Sequence, residues 1–203
     1  MSIDASGKVS VYALSNNHVY ANENRAKIGD SVLQPGVFDG GANPRDAIGA
    51  LYAFKPIVFS RAASNTIDAA IALCSTDTLG NSTPVLPGYP LGYGTPSSTW
   101  VTTASVGLPV QKYGRTTSLT KGTVYAINAI VTVGYSTGTA RFVNQIVITP
   151  GTFSAGGDSG SLIVTNDTDC KPVGLLFAGS STITIANPID AVLNYFNVGI
   201  DGK

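Results

Sequence analysis

Between Gly80 and Ser98 the sequence GNSTPVLPGYPLGYGTPSS carries four prolines and four glycines. Proline cannot donate to a β-ladder and glycine weakens any regular element, so no interior strand or helix can run through this stretch. The chain is therefore read as a β-rich first half over 1–80, a linker over 81–98, a β-rich second half over 99–186 and a closing segment over 187–203. In the first half, short runs rich in β-branched and aromatic residues fall at 9–14, 31–34, 47–54 and 69–73. In the second they fall at 100–106, 122–133, 142–149, 161–165 and 173–177. Turn residues separate them, as an all-β barrel or sandwich requires. The sequence ASGK at 5–8 reads as a hairpin turn. Helical periodicity is confined to the C-terminus, where Asn187 supplies an N-cap and Pro188 a first helical position before Ile189, Val192, Leu193 and Phe196 recur on one face.

Charged residues make up only 12% of the 203, and the 12 basic and 12 acidic side chains cancel. With no Lys/Arg cluster, capture of nucleic acid or of an anionic membrane surface has no electrostatic basis. No apolar run reaches membrane-spanning length and the opening MSIDASGKVS lacks the apolar core of a signal peptide, so a soluble chain is expected. Cys74 and Cys170 stand 96 positions apart and match no metal-ligand spacing; two free thiols or a single disulfide both fit.

The stretch SAGGDSGS at 154–161 surrounds Ser159 with glycines and places Asp158 directly before it. Such a segment is either a tight turn or a bend that presents a nucleophile beside backbone amides. A serine hydroxyl needs a neighbouring base to attack, most often an imidazole. The chain has one histidine, His18, just after the first strand run. An imidazole acting as base in turn needs a carboxylate on its other nitrogen. Asp68, in NTIDAAIAL, enters an apolar strand run where a buried acid would require a partner. Asp46 and Asp77 lie in segments that read as solvated loops.

The order His18, Asp68, Ser159 and its contexts LSNNHV, DAAIA and GDSGS resemble the chymotrypsin/trypsin-like serine proteases, in their bacterial form. Ser161 stands where glycine is more usual, and YGRTTSLTKGTV at 113–124 is similar to the GRTTG segment of bacterial members, departing at Ser118. The resemblance implies two Greek-key β-barrels of the six-stranded type packed together, with a short C-terminal helix. The first barrel would lack most of its first strand, because only 17 residues precede His18. It further implies a His18, Asp68, Ser159 triad and an oxyanion hole made by the amides of Gly157 and Ser159. An Arg115 to Asp158 ion pair would hold the oxyanion loop, and no metal or cofactor is required. The substrate pocket would be walled by Thr152, Phe153 and Ser154 and by Phe177, Ala178 and Gly179, with Phe153 equally readable as core. With no acidic residue between Pro150 and Gly157, a small or apolar residue is expected before the scissile bond.

The function expected is a serine endopeptidase acting on protein or peptide substrates, in a soluble chain whose resemblance points to secretion. A non-catalytic binding or assembly module on the same fold, and an esterase with the same triad, are the alternatives. An incomplete first barrel exposes a strand edge, through which copies of the chain could self-associate.

Overall fold

The computed structural model describes residues 1–3, 7–86 and 91–203. The turn expected at 5–8 lies partly outside the described residues. Strands β1 (Ser2–Ile3), β2 (Val9–Ser15), β3 (Ser31–Leu33), β4 (Ala47–Phe54) and β5 (Ala70–Cys74) form one antiparallel sheet in the order β1-β2-β5-β4-β3. Strands β6 (Pro109–Gly114), β7 (Ser118–Gly134), β8 (Thr139–Thr149), β9 (Leu162–Thr165), β10 (Pro172–Gly179) and β11 (Thr184–Pro188) close into a barrel. A single helical turn, α1 (Asn17–Tyr20), follows β2, and the helix α2 (Ile189–Phe196) ends the second half. Among the described residues of 80–98 there is no strand or helix. No helix among the described residues is long and apolar enough to cross a membrane.

The first unit is thus an open sheet bounded by a two-residue and a three-residue strand, whereas the second is sealed. At the centre of the sheet β5 pairs with both β2 and β4, and its small Ala70 and Ala72 pack with Ala13, Val32 and Leu51. The barrel core is larger and built from Val110, Val124, Ile146, Ile148, Phe153 and Ile163. Apolar side chains of the first half also enter the second. Ile57 joins a cluster with Phe142 and Phe177, and Ile67 joins Leu175, Ile189, Val192 and Leu193. Cys74 and Cys170 are free thiols, the latter buried.

Four features depart from the sequence reading. The run at 100–106 forms no strand; there the Trp100 indole donates to Asp190 on α2 at 2.9 Å and the Val101 amide to Pro172 O at 2.8 Å. Strands β6 and β11 were not expected, since Pro109, Lys112 and Pro188 break the apolar pattern that marks a strand. Asn187 does not cap α2, and Pro188 occupies the cap position. The Asn187 side chain is fully buried, accepting from the Asp68 amide at 3.0 Å and donating to Gln145 Oε1 at 2.7 Å. Gln145 in turn donates to Thr66 O at 2.9 Å, so the two halves share a buried polar seam as well as an apolar one.

Removing one member of that seam leaves buried groups without partners, at about 1–3 kcal/mol. Asn187→Leu is therefore expected to lower unfolding free energy by about that amount in urea titrations. A midpoint equal to that of the wild type would show that the seam contributes nothing.

Candidate active site

β2 carries the chain to Ser15, and the next residues turn back on themselves in α1. Asn16 is fully buried and its side-chain amide donates to the Asp68 carbonyl at 2.8 Å. Asn17, also buried, donates to Asn24 Oδ1 and to Lys55 O, each at 2.7 Å. Asn24 pairs both ways with the backbone of Ile57, at 2.9 and 2.8 Å. Side-chain amides thus do for this short turn what a longer helix would do by its own hydrogen bonds. They present His18 to Asp68.

The Asp68 carboxylate has no exposed surface, while the His18 side chain keeps 21% exposure. Asp68 Oδ1 accepts from the His18 amide at 3.1 Å, and Oδ2 lies 2.6 Å from His18 Nδ1. A carboxylate only accepts, so the bond calls for a proton on Nδ1, the tautomer that in a neutral ring leaves Nε2 as the acceptor. A further donor, Tyr135, gives its hydroxyl to Oδ2 at 2.9 Å from the turn between β7 and β8. Nothing in the local sequence around Tyr135 signals this contact, 67 positions away from Asp68.

Ser159 lies half-buried in the bend that follows a 3-10 turn at Gly151–Phe153. Gly157 and Gly160 have φ of +97° and +86°, a backbone that side chains rarely adopt. Space favours glycine too: a Cβ on Gly157 would meet Thr116 Oγ1 at 2.5 Å, and one on Gly160 would press on the Ser15 hydroxyl. That second contact sets the bend against the end of β2, three residues before His18. Ser161 has a definite task, donating its hydroxyl to Asp158 O at 2.6 Å.

Within the bend the amides of Asp158, Gly160 and Ser161 are bonded to the carbonyls of Ala155, Leu176 and Asp158. The amides of Gly157 and Ser159 have no acceptor among the described residues. The Gly156 carbonyl accepts from Thr116 Oγ1 at 2.8 Å. Because C=O and N–H point opposite ways across a trans peptide, this bond aims the Gly157 N–H away from Thr116. The structure therefore leaves a pair of donors free on the bend. The Ser159 hydroxyl likewise has no hydrogen-bond partner among the described residues, His18 included; such contacts often tighten only when substrate is bound.

The expected Arg115 to Asp158 pair is not formed. Arg115, on the exposed β6–β7 turn, pairs with Asp39, its Nε donating to Asp39 Oδ2 at 2.9 Å, and lies 5.5 Å from the Phe38 ring. Asp158 points inward over Gly114 and finds Lys112, Nζ to Oδ2 3.5 Å, both side chains without exposed surface. Its oxygens also accept from the amides of Thr116, Thr117 and Ala155 and from the Thr117 hydroxyl, at 2.6–3.2 Å. The physical reason is reach. A carboxylate buried in the barrel is met by the lysine that β6 turns inward, and the arginine three residues later is already in solvent. Burial pushes the Lys112 ammonium below its ordinary value, and Asp158 restores only part of that. Burial works to raise the Asp158 carboxyl, yet the Thr117 hydroxyl and the surrounding amides outweigh it and hold it below its ordinary value. With the folded value below the unfolded one, this carboxylate's stabilisation is complete above about pH 4 and is lost as pH falls through the folded value.

Beside Ser159 a cavity of about 340 Å³ is lined by Ser154, Ala155, Gly156, Leu176, Ala178, Gly179 and Ser180. Of the expected pocket residues, Ser154, Ala178 and Gly179 are found there. Thr152, Phe153 and Phe177 are not. Phe153 is fully buried in the barrel core, and Phe177 packs on Phe142 with ring centroids 4.9 Å apart. Leu176 was missed, because alternation along β10 does not reveal which backbone segment borders a cleft. Among the described residues no charged side chain lines the cavity. Among the described residues no cluster of three or more His, Cys, Asp or Glu side chains could hold a metal ion.

An open sheet and a closed barrel joined by a linker, with this bend between them, define the bacterial chymotrypsin-like protease fold. Solved structures agree. The chain is similar to a glutamic-acid-specific serine protease that uses a histidine triad in substrate binding, with TM-score 0.59 and 22% identity over 93% of this chain and 86% of that one. It is similar to Cellulomonas bogoriensis chymotrypsin, with TM-score 0.60 and 20% identity over 94% and 85% of the two chains. It also resembles Thermobifida fusca protease A, with TM-score 0.60 and 19% identity over 96% and 86%. The profile of peptidase family S64 matches residues 62–181, more than half of the chain, and the chain belongs to that family. No curated protein matches it by sequence.

Removing Lys112 leaves a buried carboxylate uncompensated, which costs about 3–5 kcal/mol. Lys112→Met is expected to lose about that much stability in urea titrations, whereas Arg115→Ala leaves the midpoint almost unmoved. The reverse ranking would return the structural ion pair to Arg115.

Proposed function

We propose that this peptidase is a serine endopeptidase in which His18, Asp68 and Ser159 act as a triad. The observation that carries the reading is the 2.6 Å contact between His18 Nδ1 and the fully buried Asp68 carboxylate, in a chain with a single histidine. It fixes the tautomer that leaves Nε2 free to take a proton. Ser159 attacks the peptide carbonyl as His18 Nε2 removes its proton. His18 then protonates the departing amine, and water hydrolyses the acyl-enzyme by the same relay. The free amides of Gly157 and Ser159 receive the oxyanion. One such donor elsewhere is worth about 2.7–4 kcal/mol in the transition state. Asp68 holds the imidazole and offsets the charge of its cation.

The residue before the scissile bond enters the cavity of Ser154, Ala178 and Gly179, whose described lining is uncharged and, Leu176 apart, small. Small or medium apolar side chains are therefore the preferred substrates. A glutamate selected by substrate-binding histidines, as in the relative described above, has no counterpart here, since the one imidazole is engaged by Asp68.

A fluorophosphonate probe and a peptide library test the reading together. The wild type is expected to be labelled and to cleave after small apolar residues, while Ser159→Ala is not labelled and loses about 10⁶-fold in kcat. A folded wild type that the probe does not modify would make the chain a binding module. Ester turnover without peptide cleavage would make it an esterase.

A further inference from the structure

We propose that Tyr135 is a positioning residue for the His18–Asp68 pair and that Glu23 holds it there, so that the hairpin of the barrel completes a base assembled in the other half. The proposal rests on the endopeptidase reading. Asp68 Oδ2 faces His18 Nδ1 and also takes the Tyr135 hydroxyl, at 2.6 and 2.9 Å. Both bonds fall on one oxygen of a carboxylate that water cannot reach. The second bond therefore fixes the rotation of that carboxylate and the position of the oxygen opposite the imidazole. It also draws off part of the charge felt by the imidazole. Among the described residues no other side chain donates to this carboxylate; β10, which runs beside the site, offers Phe177 to the core instead.

The Tyr135 ring is aimed by packing. It meets Phe59 edge-on at 5.7 Å, Phe142 at 6.3 Å and the His18 ring at 5.8 Å. Its backbone closes the β7–β8 turn through a 2.8 Å bond to Gly138 O. The turn is then clamped from the first half. Glu23 accepts from the Ser136 amide at 3.0 Å, the Ser136 hydroxyl at 2.8 Å and the Thr137 amide at 2.7 Å. Arg25 lies 3.5 Å from Glu23 and donates to the hydroxyls of Ser136 and Thr137.

The segment that presents Glu23 is unusual. Asn22, Glu23 and Asn24 follow α1 in succession with φ of 46°, 57° and 73°. Asparagine tolerates left-handed backbone singly and glutamate poorly, and a run of three persists only where neighbours over-determine it. Here the Asn24 side chain is locked to Asn17 and Ile57. The result is that the loop leaving the histidine turn delivers a carboxylate to the hairpin that steadies the histidine's partner. Burial favours raising the Glu23 carboxyl, but the bonds from Thr137 and Ser136 prevail and hold it at about 2, so the clamp is charged wherever a serine protease works. Burial, then the charges of Asp68 and Glu23, push the Tyr135 hydroxyl above its ordinary value, so it stays a donor. Among the described residues His18 and Asp68 face Tyr135 itself, and Glu23 and Arg25 are bonded to its turn.

The test uses the full chain with Y135F, which keeps the ring, with E23A, and with the double variant. Y135F is expected to lower kcat about tenfold while KM changes less than about twofold. The acid limb of the kcat/KM profile should move to higher pH, because the imidazole then faces a less shared charge. The downfield Nδ1–H proton resonance of His18, unambiguous in a chain with one histidine, should shift. E23A should reproduce part of each change, and the double variant should be no worse than Y135F alone. Wild-type kcat, pH profile and resonance in Y135F would overturn the proposal. Additive losses in the double variant would remove Glu23 from it. Should Y135F fail to fold, the resonance in E23A decides. If the wild type neither cleaves peptide nor reacts with the probe, the endopeptidase reading falls, and the resonance still judges the contact between Tyr135 and Asp68.

Discussion

The Asp68 carboxylate has no solvent-exposed surface, and an ionised group can be buried only where donors surround it. Those donors come from both halves of the chain. The His18 amide and ring belong to the turn after β2, and the Tyr135 hydroxyl belongs to the barrel. The backbone on either side of the carboxylate is shared in the same way, its carbonyl by Asn16 and its amide by Asn187. Docking of the sheet on the barrel thus completes the surroundings of this carboxylate, with Ile57 and Ile67 supplying the apolar part of the contact.

The second buried acid, Asp158, is handled differently. Its counter-charge, Lys112, comes from inside the same barrel, and four further donors come from its own bend and the β6–β7 turn. The buried acid of the bend that carries Ser159 is therefore satisfied by groups of its own half. What the first half adds is position: Ser15 abuts Gly160, and Asp39 anchors Arg115 beside Thr116, which turns the Gly156 carbonyl. One acid is tied across the interface and the other within a unit, and the proposed nucleophile and base belong to these two different arrangements.

Legibility in the sequence followed the range of the interactions. The bend at 154–161 could be read because its glycines answer local demands of φ and space. His18 and Asp68 could be singled out by chemistry, one as the sole imidazole and the other as an acid entering an apolar run. Lys112 could not, because a lysine inside a strand pattern reads as an exposed face until the acid 46 positions later is seen beneath it. Tyr135 and Asn187 lie 67 and 119 positions from Asp68, and neither has a local signature. Asn187 actively misled, since asparagine before proline and a helical stripe is a good cap signal, and tertiary bonding took the side chain elsewhere. Phe153 was readable either as wall or as core and Phe177 was expected as wall, yet both are core, because a large apolar residue next to a cleft is more often its foundation than its wall.

The seam between sheet and barrel has one more consequence. Any opening of the two halves takes Tyr135 and Asn187 away from Asp68 before either unit need unravel, and so dismantles the proposed proton relay first. Copies of the molecule that have gaped enough to become digestible would thus be silent, while those able to cut would be the tightly shut ones.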